Sequence, residues 1–88
     1  MPEICRFLGM VIRMFINEHP PAHFHVKYAE FEATVSIETG KIIQGELPGR
    51  LPSIIMEWTN QRRTELLDNW QRARNRDTIL PVKPPEDC

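Results

Sequence analysis

"HFHVKYAEFEATVSIE", residues 23–38, alternates between apolar and polar side chains on both sides of a single dipeptide. Phe24, Val26 and Tyr28 are interleaved with His23, His25 and Lys27. After Ala29 and Glu30, Phe31, Ala33, Val35 and Ile37 are interleaved with Glu32, Thr34, Ser36 and Glu38. Period two over this length marks two half-buried strands. With Ala29 and Glu30 as a two-residue hairpin loop, the cross-strand partners are Tyr28 with Phe31, Lys27 with Glu32, Val26 with Ala33, His25 with Thr34, Phe24 with Val35 and His23 with Ser36. Apolar then meets apolar and polar meets polar at every step. The register puts both strand histidines on the face away from the core, beside Glu32, Thr34 and Ser36. Ala-Glu is a poor choice for such a loop, which calls for positive φ.

The pattern extends in both directions. Residues 4–8 and 10–16 are rich in branched and aromatic side chains, and Gly9 between them reads as a bend or bulge. Met10, Ile12, Met14 and Ile16 share one face of the second run, opposite Val11, Arg13 and Phe15. Asn17, Pro20 and Pro21 then break it, because proline cannot donate to a ladder. On the far side, "ETGK" at 38–41 is a turn leading into a short strand, "KIIQGE". A meander of four to five antiparallel strands is complete near Glu46.

"LPGRLPS" connects it to a helix, with Pro52 in the first turn, where a missing N–H does no harm. Ile55, Trp58, Arg62, Leu66, Trp70 and Ala73 recur at helical spacing over 52–75, with Ile54 and Leu67 widening the stripe and Arg62 interrupting it. The segment is one long helix or two with a bend near Thr59 and Asn60. The expected fold is α+β, a meander covered on one face by this helix. Residues 1–76 form a single domain, and 77–88 form a proline-rich tail that is extended or flexible.

Bulk properties narrow the function classes. A chain of 88 residues with 41% hydrophobic and 26% charged side chains is an ordinary globular domain rather than a disordered or membrane chain. At this size only about 60–65% of the unfolded surface is buried, so a permanent partner could add stability. No stretch suggests a membrane span or a secretory signal, and a cytoplasmic location is the expectation. Cys5 and Cys88 make neither a CxxC pair nor a disulfide framework. The net charge of −1 is unevenly spread. Six arginines (50, 62, 63, 72, 74 and 76) face three acids (57, 65 and 68) between positions 50 and 76, so that half is suited to phosphates or an acidic partner.

All three histidines lie in "HPPAHFHVKY", residues 19–28. Three readings stand. His23 and His25 point the same way from a strand and could share a transition metal, with His19 as third ligand and Glu18 or Glu32 as a carboxylate option. Two imidazoles on one face could instead act as base and acid in metal-independent cleavage of an RNA phosphodiester. Lys27 would stabilise charge on the phosphoryl oxygens, and Arg13 or helix arginines such as Arg62 and Arg63 would hold flanking phosphates. The third reading is a solvated sheet face without chemistry, which uses the same residue types. No P-loop, dinucleotide motif, nucleophile elbow or zinc-finger spacing is present, and no cofactor is expected.

The stretches "MPEI", "HPPAHFHVKY", "IETG" and "ELLDNW" resemble a bacterial family catalogued as a domain of unknown function, number 4160, over about residues 1–73. The family's signature falls on His19, Pro21, His23, Phe24 and His25, with Trp58 and Trp70 in the helical half. The chain departs from it at Ala29, where the family commonly carries glycine. Its members resemble the toxin half of type II toxin-antitoxin pairs, which implies a cytoplasmic bacterial protein with a small antitoxin partner. Joined to the histidine cluster, the resemblance makes the expectation a toxin-type ribonuclease using His23 and His25, supported by Lys27 and His19. The alternative is a non-enzymatic binding or regulatory module, and a metal-dependent hydrolase ranks below both.

Overall fold

The structure, a computed structural model, describes residues 3–15 and 19–85. Ile16, Asn17, Glu18 and Cys88, named above, lie outside the described residues. Five strands form one antiparallel sheet in chain order: β1 (Glu3–Phe7), β2 (Met10–Arg13), β3 (His23–Tyr28), β4 (Phe31–Ser36) and β5 (Ile42–Gly45). A single helix, α1 (Leu51–Arg74), follows, completing the expected α+β fold.

All six cross-strand pairs derived for β3 and β4 are present, from His23 opposite Ser36 to Tyr28 opposite Phe31. The hairpin is tight although its loop is Ala-Glu, because Ala29 takes φ 51°. Alternation and side-chain pairing therefore override the local cost of a left-handed alanine. Gly9 is part of a loop rather than a bulge: Phe7 pairs with Met10, and Leu8 and Gly9 between them have φ 51° and 80°. Positive φ at both loop positions matches the right-handed twist of the flanking strands.

The inward side chains Phe7, Met10, Ile12, Met14, Phe24, Val26, Val35 and Ile37 are buried with Ile55, Trp58, Leu66 and Trp70 of α1. Trp58 is fully buried, its ring centroid 5.4 Å from Phe7 and 5.5 Å from Phe24. Such pairs contribute about 0.5–1.5 kcal/mol each beyond the area they bury. Leu67, expected in the apolar stripe, is 40% exposed, while Thr59 and Asn69 are buried in its place. Asn69 is buried because the chain after the helix packs there, and Thr59 bonds within the helix.

The bend expected near Thr59 and Asn60 sits at Arg62, which has φ −115° and ψ 17° inside the helix. Thr59 Oγ1 donates back to Ile55 O (2.7 Å), an arrangement that bends helices. The Arg62 guanidinium reaches the carbonyls of Lys83 and Pro84.

At the helix end Arg76 takes φ 60°. Its N–H donates to Ala73 O, and the Asp77 N–H donates to Arg72 O, the two bonds of a Schellman cap. This cap reverses the chain, and the following segment runs antiparallel to the helix. Asn69 brackets Leu80, donating to its carbonyl (2.7 Å) and accepting from its N–H (2.9 Å). Val82 is buried and donates to Ile4 O on β1, and Trp58 Nε1 donates to Lys83 O.

Three L-residues, Leu8, Ala29 and Arg76, thus occupy backbone positions that favour glycine. A left-handed L-residue costs about 1–2 kcal/mol, and glycine returns about 0.5–1 kcal/mol of that as unfolded-chain entropy. Ala29→Gly and Arg76→Gly are each expected to stabilise the protein by about 0.5–1 kcal/mol, read from denaturation midpoints. A lower midpoint for either would mean that the native residue contributes more than its backbone conformation costs.

Candidate functional site

Opposite the helix, the sheet presents a face built by the register itself. Glu3, Arg13, His25, Thr34 and Gln44 are successive cross-strand partners on β1 to β5, so one row of polar side chains crosses all five strands. A parallel row holds Arg6, Val11, Lys27 and Glu32. Directly opposite residues in a sheet have Cβ atoms about 4.5–5.5 Å apart, close enough for neighbouring side chains in a row to act on one ligand.

Each acid on this face has a cation beside it. Arg6 donates two hydrogen bonds to Glu3 (2.9 and 2.8 Å), and Lys27 Nζ lies 3.7 Å from Glu32. The bond from Arg6 holds the Glu3 carboxyl below its ordinary value, with the charges of Arg6 and Arg13 adding to the effect. On α1, the hydrogen bond from Arg72 to Asp68 raises the Arg72 guanidinium above its already high value.

The two strand histidines differ. His25 is half-buried: its ring lies 4.7 Å from that of Phe15, and Thr34 Oγ1 is 3.4 Å from its Nδ1. His23, expected on the open face, is 9% exposed. Its ring sits 5.1 Å from His25 and 5.0 Å from Trp70, and its Nδ1 is 2.7 Å from Pro21 O. A carbonyl only accepts, so Nδ1 carries the hydrogen.

Alternation does put both imidazoles on one side of β3. However, the second half of α1 crosses the end of the sheet where β3 begins and β4 ends, with Arg63 bonded to Ile37 O (2.9 Å) and Trp70 against His23. The result is a continuous run of four rings, Trp70, His23, His25 and Phe15, from the helix to the open face.

Among the residues singled out from sequence, Arg13, His25 and Lys27 share the open face, and His23 lies at its covered end. His19 is exposed in the loop before β3, ahead of the cis Pro20–Pro21 bond. Arg62 and Arg63 are not brought to this face: their guanidinium groups bond main-chain carbonyls of Lys83, Pro84 and Ile37. Among the described residues no three His, Cys, Asp or Glu side chains gather closely enough to hold a metal ion, so His19, His23 and His25 do not form such a site.

Sequence reasoning missed Gln44 as a row member. Extending the β3–β4 register outward to β5 would have found it but for the irregularity between Thr34 and Val35. It also missed Trp70 as the partner of His23. Helical spacing marks Trp70 as buried and carries no signal for which end of the sheet it covers.

Residues 9–71, from the β1–β2 loop into the last turns of the helix, match the family model described as Domain of unknown function (DUF4160). The chain belongs to the DUF4160 family. The matched region of this DUF4160 protein holds all three histidines, Arg13, Gln44 and Trp70. No curated protein and no solved structure matches the chain. Among the described residues no helix is long and apolar enough to cross a membrane.

The two histidines should separate by stability. His23→Ala leaves Pro21 O without its donor and opens a void beside Trp70, with an expected loss of about 2–3 kcal/mol. His25→Ala should cost under about 1 kcal/mol. Equal losses in urea unfolding would contradict the asymmetry.

The Glu3 pair makes a second expectation. A carboxyl whose folded pKa lies below its unfolded one stabilises above the ordinary value, and that contribution is lost as pH falls through the lowered value. In Arg6→Ala the Glu3 carboxyl should titrate higher than in the parent, measured by carbon NMR of the side chain.

Proposed function

We propose that this DUF4160 protein is the toxin-type member of a bacterial two-protein module and cleaves RNA on its open sheet face. The observation that carries the reading is the cross-strand placement of Arg13 beside His25, with Lys27 two residues along the same strand. This sets an imidazole between two cations on a water-accessible surface. The family resemblance supplies the toxin-type context, a small antitoxin partner and a cytoplasmic location.

The chemistry follows from the groups present. His25 takes the proton from a ribose 2′-hydroxyl, whose oxygen attacks the adjacent phosphorus. The P–O5′ bond breaks, leaving a 2′,3′-cyclic phosphate, and the departing oxygen takes a proton from the His23 imidazolium. Arg13 and Lys27 face the charge that grows on the phosphoryl oxygens. No metal takes part, and His19 serves from the loop as a supporting cation or hydrogen-bond donor.

One observation favours a second reading. His23 is buried against Trp70 with one nitrogen engaged by Pro21 O, a setting that also suits a purely structural residue. On that reading the open face binds its target without cutting it.

Induced expression of the parent and of His25→Ala, at matched soluble levels, separates the two. Cleavage should arrest growth and fragment RNA in the parent. In His25→Ala the rate should fall by about 10²-fold or more, the range contributed by a positioned acid or base. Arrest that survives the substitution with RNA intact would favour the binding module, and growth without arrest would remove the toxin-type reading.

A further inference from the structure

Beside His25 the open face holds a groove of about 380 Å³ crossing β3, β4 and β5. Its polar lining comes from His25, Glu32, Thr34 and Gln44, with Gly45 at its edge. The volume lies in the range of small-ligand sites. Gly45 has φ 81°, and a Cβ there would lie 2.2 Å from Glu32 O, so no side chain can grow into the groove from that position. The Glu32 side chain is 76% exposed, and its ion pair with Lys27 is long at 3.7 Å. Both carboxylate oxygens therefore keep lone pairs that can accept hydrogen bonds.

From this chemistry we infer that the groove is a base-recognition subsite for guanine in single-stranded RNA. The inference rests on the RNA reading above and names the nucleotide that it selects. A carboxylate matches two adjacent N–H donors, accepting both in parallel. Among the four RNA bases, guanine offers such a pair on its Watson–Crick edge, at N1 and N2, and its O6 can accept from the Gln44 amide. Adenine and cytosine set a ring-nitrogen lone pair beside their amino group, which the carboxylate repels. Uracil presents one N–H between two carbonyls. Unstacked bases read on this edge are the usual route to sequence-specific RNA recognition.

Position adds a constraint. The groove is bounded by His25, so a guanine seated there brings its own ribose next to the imidazole. The 2′-oxygen that attacks is then the guanosine's. The P–O5′ bond broken lies immediately 3′ of it, and cleavage leaves a guanosine 2′,3′-cyclic phosphate end. Lys27, paired with Glu32 across the strands, is placed to meet the phosphate of the same nucleotide.

The test titrates the full-length protein with guanosine, adenosine, cytidine and uridine 3′-monophosphates, following backbone amides of Thr34 and Gln44 by NMR, and maps the new 3′ ends of a mixed-sequence single-stranded RNA. The guanosine nucleotide should bind about ten- to a hundredfold more tightly than the others, the range for hydrogen bonds to a charged group. Glu32→Gln should abolish that preference while leaving the fold intact by circular dichroism, since the side chain is exposed. Equal affinity for the four nucleotides, no binding by any of them, or a preference that survives Glu32→Gln would each overturn the subsite. Guanine-selective binding without RNA cleavage would keep the subsite and remove the nuclease reading. Cleavage at ends other than guanosine would do the reverse.

Discussion

Trp58 is the side chain on which the arrangement depends. Its ring packs against Phe7 of β1 and Phe24 of β3, and its indole N–H donates to Lys83 O in the segment after the helix. One residue of α1 therefore joins an edge strand, a central strand and the returning chain. In a domain this small, where burial is limited by surface-to-volume scaling, such a shared contact has few substitutes. The sheet cannot shift under the helix without breaking a ring contact. The returning chain cannot leave without stranding a buried indole donor, which costs about 1–3 kcal/mol.

That dependence explains why one face of the sheet is open for chemistry. The helix and the returning segment satisfy the core side, so polar residues on the other side need only suit water and each other. Antiparallel sheets support this division, since alternate side chains face opposite ways. Both acids of the open face are held by cations, through Arg6 on Glu3 and Lys27 on Glu32, while Arg13 stands in the row between Glu3 and His25. The electrostatic character around His25 is thus set by a few residues on neighbouring strands, although the chain as a whole carries a net charge of −1.

Much of the fold was legible because period-two alternation is a strong signal. The β3–β4 register followed from side-chain pairing alone, and the apolar stripe through Ile55, Trp58, Leu66, Trp70 and Ala73 marked the buried face of α1. What escaped depended on the backbone or on distant elements. Ala29 and Arg76 adopt left-handed conformations that their residue types do not announce. Asn69 reads as a surface residue until Leu80 is seen to need both of its amide atoms. His23 was placed on the right side of its strand but with the wrong exposure, because alternation says nothing about a helix crossing the end of the sheet. The same limit hid Trp70 from the candidate site.

The two edges of the sheet are unlike. At β1, Val82 bonds to Ile4 O and a stretch of chain lies alongside. At β5, no described segment pairs with the outer side, and Ile43 is 51% exposed. A sheet closed at one margin and open at the other is a directional template. Edge strands with unpaired main-chain groups can accept a further strand, and β5 is such an edge among the described residues. Main-chain pairing with another chain is thus directed to the β5 margin rather than to β1.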